Sequence, residues 1–484
     1  MPSLKKNFTY NLVYQILIVL VPVLTTPYVS RVLGAESLGV YGFTASVAGY
    51  FLVFANLGFA NYGNRSIAKV RNDKYQLRET FWSIYMLQIL VGLVIVCIYL
   101  VVTLGIMRQN NIIFLVQGII ILSALFDTTW LFMGLEKFGI VIFRNTLIKI
   151  LTLAAIFMFV KGPDDLLKYA LIVPAGQLIG FIIVLPMAVK EVGKLKFNLK
   201  KSFQHFKPVL VLFVPMIAIS LFTSMDTILV GIFSSAKQVA FYQLTSTILS
   251  MPKSVIGALG AVMLPRLAHT FANGNDNSST NISVYMDNSI IFISFYSFAA
   301  MFGLIGVAPI LANVFLGNGY GEVGYLLTII ATVIPIYAWG NLIRTQLLIP
   351  KSNDKPYVIS IVLGAITNVT LNLILIRFLG ALGGVIATVL TEYVLATYVM
   401  VYCAKDIHYS RYGMMSGVFI SIGIIMAIVT RLIGIKMGYG VVTLMVQVIV
   451  GMFIYLSFTL VYLKKSKNKL FSELSLKVLG YKII

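Results

Sequence analysis

Stretches of twenty or more predominantly apolar residues recur along almost the whole chain and leave little sequence from which any other fold could be built. At a rise of about 1.5 Å per residue, about 20 residues cross a hydrocarbon core of roughly 30 Å, and such stretches read as spanning helices. About fourteen are expected by this reading, near 9–31, 39–62, 81–104, 112–134, 138–160, 166–189, 208–233, 238–263, 288–312, 323–349, 357–376, 383–403, 414–435 and 441–463. The expected fold class is an all-α polytopic membrane protein. Turn signals separate the stretches, as in Gly34-Ala35-Glu36, Lys161-Gly-Pro-Asp-Asp165 and Pro350-Lys-Ser-Asn-Asp354.

Only 11% of the 484 residues are charged and 59% are hydrophobic, whereas a soluble domain has about a quarter charged. The longest connections, 190–207 and 264–287, are too short for an extramembrane catalytic domain. The first stretch is too long for a signal-peptide core and no small-residue cleavage site follows it, so it is expected to stay as the first span.

The formal charge of +21 follows topology rather than a nucleic-acid face. With the N-terminus in the cytoplasm, roughly 25 Lys and Arg fall on cytoplasmic segments, about 8 on the other side and about 4 within spans, which is the positive-inside pattern. An even number of spans then leaves both termini cytoplasmic. The basic clusters 65–78, 190–207 and 464–482 share one face, where they can also meet anionic membrane lipid.

A weak internal repeat relates Ala35, Tyr41, Thr44 and Arg65 to Ala236, Tyr242, Thr245 and Arg266 at one common offset. Six spans per repeat return the chain to its starting side, so two lobes are expected, related by a pseudo-two-fold axis along the membrane normal. The expected organisation is an N-terminal lobe at 1–189, a basic cytoplasmic linker at 190–207, a C-terminal lobe at 208–403, two extra spans at 404–463 and a basic cytoplasmic tail at 464–484. The linker reads as a solvated loop rather than a gate.

Seven ionisable side chains lie well inside these stretches: Asp127, Arg144, Lys149, Asp226, Lys253, Arg344 and Glu392. Each costs roughly 2.5–3.5 kcal/mol at the centre of a span unless it faces a partner or a water-filled cavity. Asp127 and Arg144 fall at one depth on neighbouring spans, so a structural salt bridge and a cavity role both stand. Lys149 is about 140° round the helix from Arg144 and near mid-depth, which favours a cavity. Lys253 follows Pro252, whose kink would free carbonyls that protein or water must satisfy. Arg344 shares a face with Tyr337 and Asn341. Asp226 and Glu392 stand open between ion coupling and structural pairing. Cations lead among the seven, and Arg65 and Arg266 wait at the inner mouths of their spans, so a pathway of this kind suits an anionic cargo such as phosphate or pyrophosphate.

Soluble-enzyme chemistry is not written here. His205, His269 and His408 lack metal-ligand spacing, and there is neither a phosphate-binding Gly-x-x-x-x-Gly-Lys loop nor a His-Glu-x-x-His motif. Cys97 and Cys403 suggest no disulfide or metal site. No cofactor and no metal are expected.

The segments TPYVSRVLGAESLGVYGF (26–43), FANLGFANYGNRSIAKVR (54–71), DTTWLFMGLEKF (127–138) leading to Arg144-Asn145, and MLPRLA (263–268) resemble Wzx-type polysaccharide flippases. These belong to the multidrug/oligosaccharidyl-lipid/polysaccharide exporter superfamily. The resemblance covers essentially the whole chain, is specific in the first 145 residues and weakens after about residue 400. It implies two six-helix lobes plus two helices, a rocker-switch movement, and a non-enzymatic role in the bacterial plasma membrane. The implied substrate is an undecaprenyl-diphosphate-linked oligosaccharide, carried from inner to outer leaflet, with polysaccharide polymerase and glycosyltransferase machinery as partners. Family members commonly have a cationic lumen, which maps onto Arg65, Arg144, Lys149, Lys253 and Arg344, with Tyr337, Trp130 and Asn341 as candidates for shaping specificity. The competing expectations are a peptidoglycan-precursor flippase, an exporter of drugs or cations with a carboxylate-dominated cavity, and a membrane enzyme, which would need a sizeable external loop.

Overall fold

The computed structural model describes the backbone of residues 4–105, 110–194, 199–273, 276–405, 407 and 409–465. Among them there is no β-strand. The chain divides into two compact units, Met1–Ala240 and Phe241–Ile484.

The first unit holds α1 (Leu4–Asn56), α2 (Phe59–Val70), α3 (Lys74–Gly105), α4 (Asn111–Ala124), α5 (Thr129–Gly134), α6 (Phe138–Phe159), α7 (Leu166–Val192), α8 (Leu199–Gln204) and α9 (Phe206–Phe233). α10 (Ala236–Asn273) begins at its end. The second unit contains the rest of α10, then α11 (Asp276–Leu311), α12 (Gly321–Ile330), α13 (Val333–Ile343), α14 (Asp354–Leu379), α15 (Ala381–Tyr402), α16 (Tyr409–Met437) and α17 (Val441–Lys465).

Each of the fourteen expected stretches falls on helix, but the number of spans differs. Among the described residues ten helices are long and apolar enough to cross a membrane, or eleven when the α12–α13 pair, bent by 43°, counts as one span. Two causes are visible. Residues 20–70 pass as one stretch although Gly34, at φ 76°, breaks the helix inside α1; an unbroken helix of that length would run about 75 Å, more than twice the hydrocarbon core. The second is that the count covers described residues alone: side chains within α9 and α10 lie outside them, so α9 enters only through Ser224–Phe233. The outer surfaces carry large apolar side chains, including Val101, Phe143, Phe378 and Ile435, each more than two-thirds exposed, as a lipid-facing surface requires.

A second break changes the reading of the fourth stretch. Residues 125–128 leave the helix between α4 and α5, and a span that unwinds must satisfy its backbone from within the protein. Gln88 on α3 does this: its Nε2 donates to the carbonyls of Ala124 (2.6 Å) and Asp127 (2.9 Å), while its Oε1 accepts from Trp130 Nε1 (3.0 Å). Gln88 and Trp130 are both buried. Phe81, Trp82, Tyr85 and Trp130 surround the join with aromatic contacts.

The described part of the linker packs onto the first unit. Arg78 Nε donates to the Lys194 carbonyl (2.7 Å) and Trp82 Nε1 to the Gly193 carbonyl (3.1 Å). Lys201 pairs with Glu79, Lys137 with Glu191 (2.5 Å), and the Tyr62 hydroxyl lies 2.7 Å from His205 Nδ1. At these positions the linker is held by hydrogen bonds and ion pairs while most of its described side chains stay exposed. The side chains of Arg266 and His269, and residues 408 and 466–484, lie outside the described residues.

Candidate substrate site

The buried charges of the first unit separate into local arrangements. Asp127 sits at the α4–α5 break rather than well inside a helix, because Oδ1 accepts both the backbone N–H (2.9 Å) and the hydroxyl of Thr129, closing the turn that opens α5. Arg144 on α6 donates from Nε to Asn145 Oδ1 (3.1 Å), with a second bond from Nη2, and its guanidinium lies 4.4 Å from the Phe181 ring centroid on α7. Gly180 supplies the room: a Cβ there would meet Ile148 at 2.8 Å and the Arg144 Cδ at 3.7 Å. Lys149 is half-buried further along α6, Asp226 is buried on α9, and Arg65 is exposed on α2.

The second unit brings three of the expected residues together. Lys253 on α10 donates to Glu392 Oε1 on α15 at 2.8 Å, and its ammonium lies 4.2 Å from the centroid of the Tyr337 ring on α13. The Glu392 side chain is 3% exposed and that of Lys253 21%. Arg344 interacts electrostatically with Glu392 and Tyr337, so two cations share one carboxylate. α10 runs helically through Pro252 without a break, and the Pro252 carbonyl accepts from the Tyr296 hydroxyl at 3.3 Å.

Local sequence explains the convergence. Gly340 lets α13 approach α15, since a Cβ there would stand 2.9 Å from the Cβ of Ala396 and 3.7 Å from Arg344 Nη1. One turn later, Arg344–Leu348 widens into a π-helical turn, an irregularity that often marks functional positions. Within it, Arg344 Nη1 and both amide atoms of Gln346 are buried with no hydrogen-bond partner among the described residues. An unpaired polar group in such surroundings costs about 1–3 kcal/mol and more for a charge, so this segment keeps polar capacity for another molecule. Tyr242 and Thr388 extend the polar surface with a 3.1 Å contact between their hydroxyls.

Several polar positions escaped the sequence reading. Gln88 carries no charge and lies in an ordinary apolar stretch. Gln346 is masked by its apolar neighbours. Asp287, buried on α11 and bonded by the Tyr412 hydroxyl, lies one residue before the expected edge of its span. Trp130 is committed to Gln88 and the core rather than to a pathway. The Asn341 backbone carbonyl accepts from the Thr345 hydroxyl at 2.7 Å, and its side-chain Nδ2 lies beside Gly260 on α10, 3.6 Å from where a Cβ there would stand. No group of three or more His, Cys, Asp and Glu suited to a metal occurs among the described residues.

This architecture defines a multi-pass helical membrane protein with ionisable groups buried among its helices. Residues 4–271 match the family described as polysaccharide biosynthesis protein, more than half of the chain, and the chain belongs to that family. It is 24% identical over 409 residues to a protein named "Putative O-antigen transporter" from Escherichia coli (strain K12), covering 84% of this chain and 97% of that one. It is 23% identical over 388 residues to a protein of the same name from Shigella dysenteriae, covering 79% and 95%. Among solved structures the fold is similar to the lipid II flippase MurJ in an inward closed conformation, with TM-score 0.72, 17% identity, and coverage of 95% of this chain and 98% of that one. It is also similar to an inward-facing multidrug resistance MATE family transporter of the MOP superfamily, with TM-score 0.61, 14% identity, and coverage of 84% and 96%. These relatives are transporters rather than enzymes, and the flippase-type membership implied by the segments at 26–145 stands.

Proposed function

We propose that this protein translocates an undecaprenyl-diphosphate-linked oligosaccharide from the inner to the outer leaflet of the bacterial plasma membrane by alternating access, with both termini cytoplasmic. The observation that carries the reading is the Arg344 guanidinium, held in a spanning segment with a buried nitrogen unpartnered among the described residues, beside a Lys253–Glu392 pair. One carboxylate against two cations leaves an excess of positive charge, which favours a diphosphate over a cationic cargo. Arg344 takes the diphosphate through fork-like donors, and Lys253 joins it while Glu392 limits its charge. Within the first unit, Arg144, Lys149 and Arg65 are the cationic candidates for contact with the substrate. Asp226, buried on α9, serves ion coupling or structural pairing, whereas Asp127 serves its turn. The family membership and the two O-antigen transporter relatives support the sugar-bearing cargo, and a polysaccharide polymerase and glycosyltransferases are the expected partners.

The test is translocation in proteoliposomes of undecaprenyl-diphosphate-linked oligosaccharide, a peptidoglycan precursor and a lipophilic cation in separate assays. Preferential movement of the first, with at least a tenfold loss in Arg344→Gln, supports the proposal. Preferential movement of the peptidoglycan precursor transfers the function to cell-wall synthesis, and movement of the lipophilic cation alone refutes an anion carrier.

A further inference from the structure

A second polar site lies away from the Lys253–Glu392 cluster, in a cavity of about 200 Å³ lined by Gly306, Pro309, Arg431, Gly438, Tyr439 and Gln447 together with Ile310, Gly434 and Ile435. We propose that it binds the headgroup of an anionic phospholipid carrying a hydroxyl, such as phosphatidylglycerol, with Arg431 on the phosphate and the Gln447 side-chain oxygen on the headgroup hydroxyl. The site is independent of the transport reading.

Depth places the cavity at headgroup level. Arg431 precedes the last residue of α16, Met437, by six positions, about 9 Å along the axis. A long arginine side chain spans most of that distance toward the interface. Tyr439, just beyond the helix end, is strongly exposed, as an interfacial aromatic is. Arg431 is exposed and, among the described residues, donates from Nη1 to the Ile305 carbonyl at 3.1 Å, so a guanidinium with five donors retains capacity. No Asp or Glu lines the cavity, and Lys436 is nearby in the last turn of α16. The local charge therefore selects an anion.

Gln447 adds the second specificity. It is fully buried on α17, and its Nε2 donates to the Thr430 carbonyl at 2.7 Å. That bond fixes the amide orientation, because a carbonyl can accept only from the nitrogen. The opposite atom, Oε1, has no hydrogen-bond partner among the described residues and can only accept. The phosphodiester of a phospholipid has no proton to donate and cannot satisfy it, but a headgroup hydroxyl can. The volume corresponds to roughly seven water molecules at about 30 Å³ each, enough for a phosphoglycerol headgroup with its acyl chains left in the bilayer. Glycines tighten the walls: a Cβ at Gly306 would meet Thr430 Oγ1 at 2.0 Å, and one at Gly434 would meet Gln447 Nε2 at 2.6 Å.

The experiment is native mass spectrometry of the full chain released from mixed micelles, titrated separately with phosphatidylglycerol, phosphatidylmethanol, phosphatidylcholine and inorganic phosphate. The wild type should bind phosphatidylglycerol most tightly, phosphatidylmethanol, which lacks the hydroxyls, more weakly, and phosphatidylcholine least. Arg431→Gln should weaken phosphatidylglycerol binding by about tenfold, the loss of one charge-assisted contact. Gln447→Leu should abolish the preference for phosphatidylglycerol over phosphatidylmethanol, and Gln447→Glu serves as a second variant if the leucine form does not fold, since its anionic oxygen should weaken both lipids. Equal binding of phosphatidylglycerol by wild type and a folded Arg431→Gln overturns the proposal. So does a phosphate ion that binds as tightly as the lipid, a headgroup preference unchanged in a folded Gln447→Leu, or undiminished binding of both lipids by Gln447→Glu.

Discussion

Removal of the Lys253–Glu392 pair should cost about as much as removal of one partner, well short of the sum of the two single losses. The hydrogen bond is 2.8 Å long and Glu392 is almost fully buried, so Lys253→Met strands a carboxylate. Such half-broken pairs cost about 3–5 kcal/mol, and the nearby Arg344 places this case toward the lower end, about 3. Glu392→Gln leaves Lys253 with partial exposure and the Tyr337 ring face, a contact worth about 0.5–2 kcal/mol, so its cost should be smaller, about 2. The double variant replaces both charges by neutral groups and should cost about 2–3 kcal/mol rather than the sum of about 5, since neither partner is then left as a stranded buried charge. The expected coupling is then about 2–3 kcal/mol. Unfolding midpoints of the four proteins in one detergent, followed by tryptophan fluorescence, read this as an order: wild type, then Glu392→Gln and the double variant close together, then Lys253→Met. Additive losses, with the double variant lowest by the sum of the two singles, would refute a directly coupled pair.

Three other perturbations probe separate parts of the fold. Gln88→Leu strands the Ala124 and Asp127 carbonyls and the Trp130 N–H, so it should destabilise by about 3 kcal/mol at the usual cost per buried group and speed proteolysis at the α4–α5 break. Gly34→Ala should cost about 1–2 kcal/mol through backbone strain alone, since a Cβ at its φ of 76° meets nothing within 4 Å; an unchanged unfolding midpoint would contradict this. Burial holds the His205 imidazole below its ordinary value of 6.5, so below that pH the unfolded chain binds more protons than the folded one. The stabilisation is present above pH 6.5 and is lost as pH falls through the folded value, and His205→Phe should flatten the acid limb of the stability profile.

Much of this was legible from local pattern. Apolar length located helix at all fourteen expected stretches, and the Gly34 turn signal coincides with the left-handed break in α1. Lys161-Gly-Pro-Asp-Asp165 forms the expected connection, with Asp165 Oδ2 accepting from the backbone of Lys161 (2.7 Å) and Gly162 (3.1 Å). What periodicity does not carry is partnership across the chain. Lys253 and Glu392 are 139 positions apart, and no local rule joins them. The α4–α5 break is stabilised by Gln88 from another helix, so Asp127 looked embedded in a span when it closes a turn. The π-helical turn at Arg344–Leu348 is likewise a packing result, and it leaves Gln346 buried among apolar neighbours.

The most direct measurement is the initial rate of translocation of the diphosphate-linked oligosaccharide in proteoliposomes for wild type, Lys149→Ala and Lys253→Ala, each confirmed monodisperse and folded. A cationic path predicts that both variants slow transport by about tenfold or more, the loss expected from one charge-assisted contact to a diphosphate. Folded variants that both carry the substrate at the wild-type rate would contradict it.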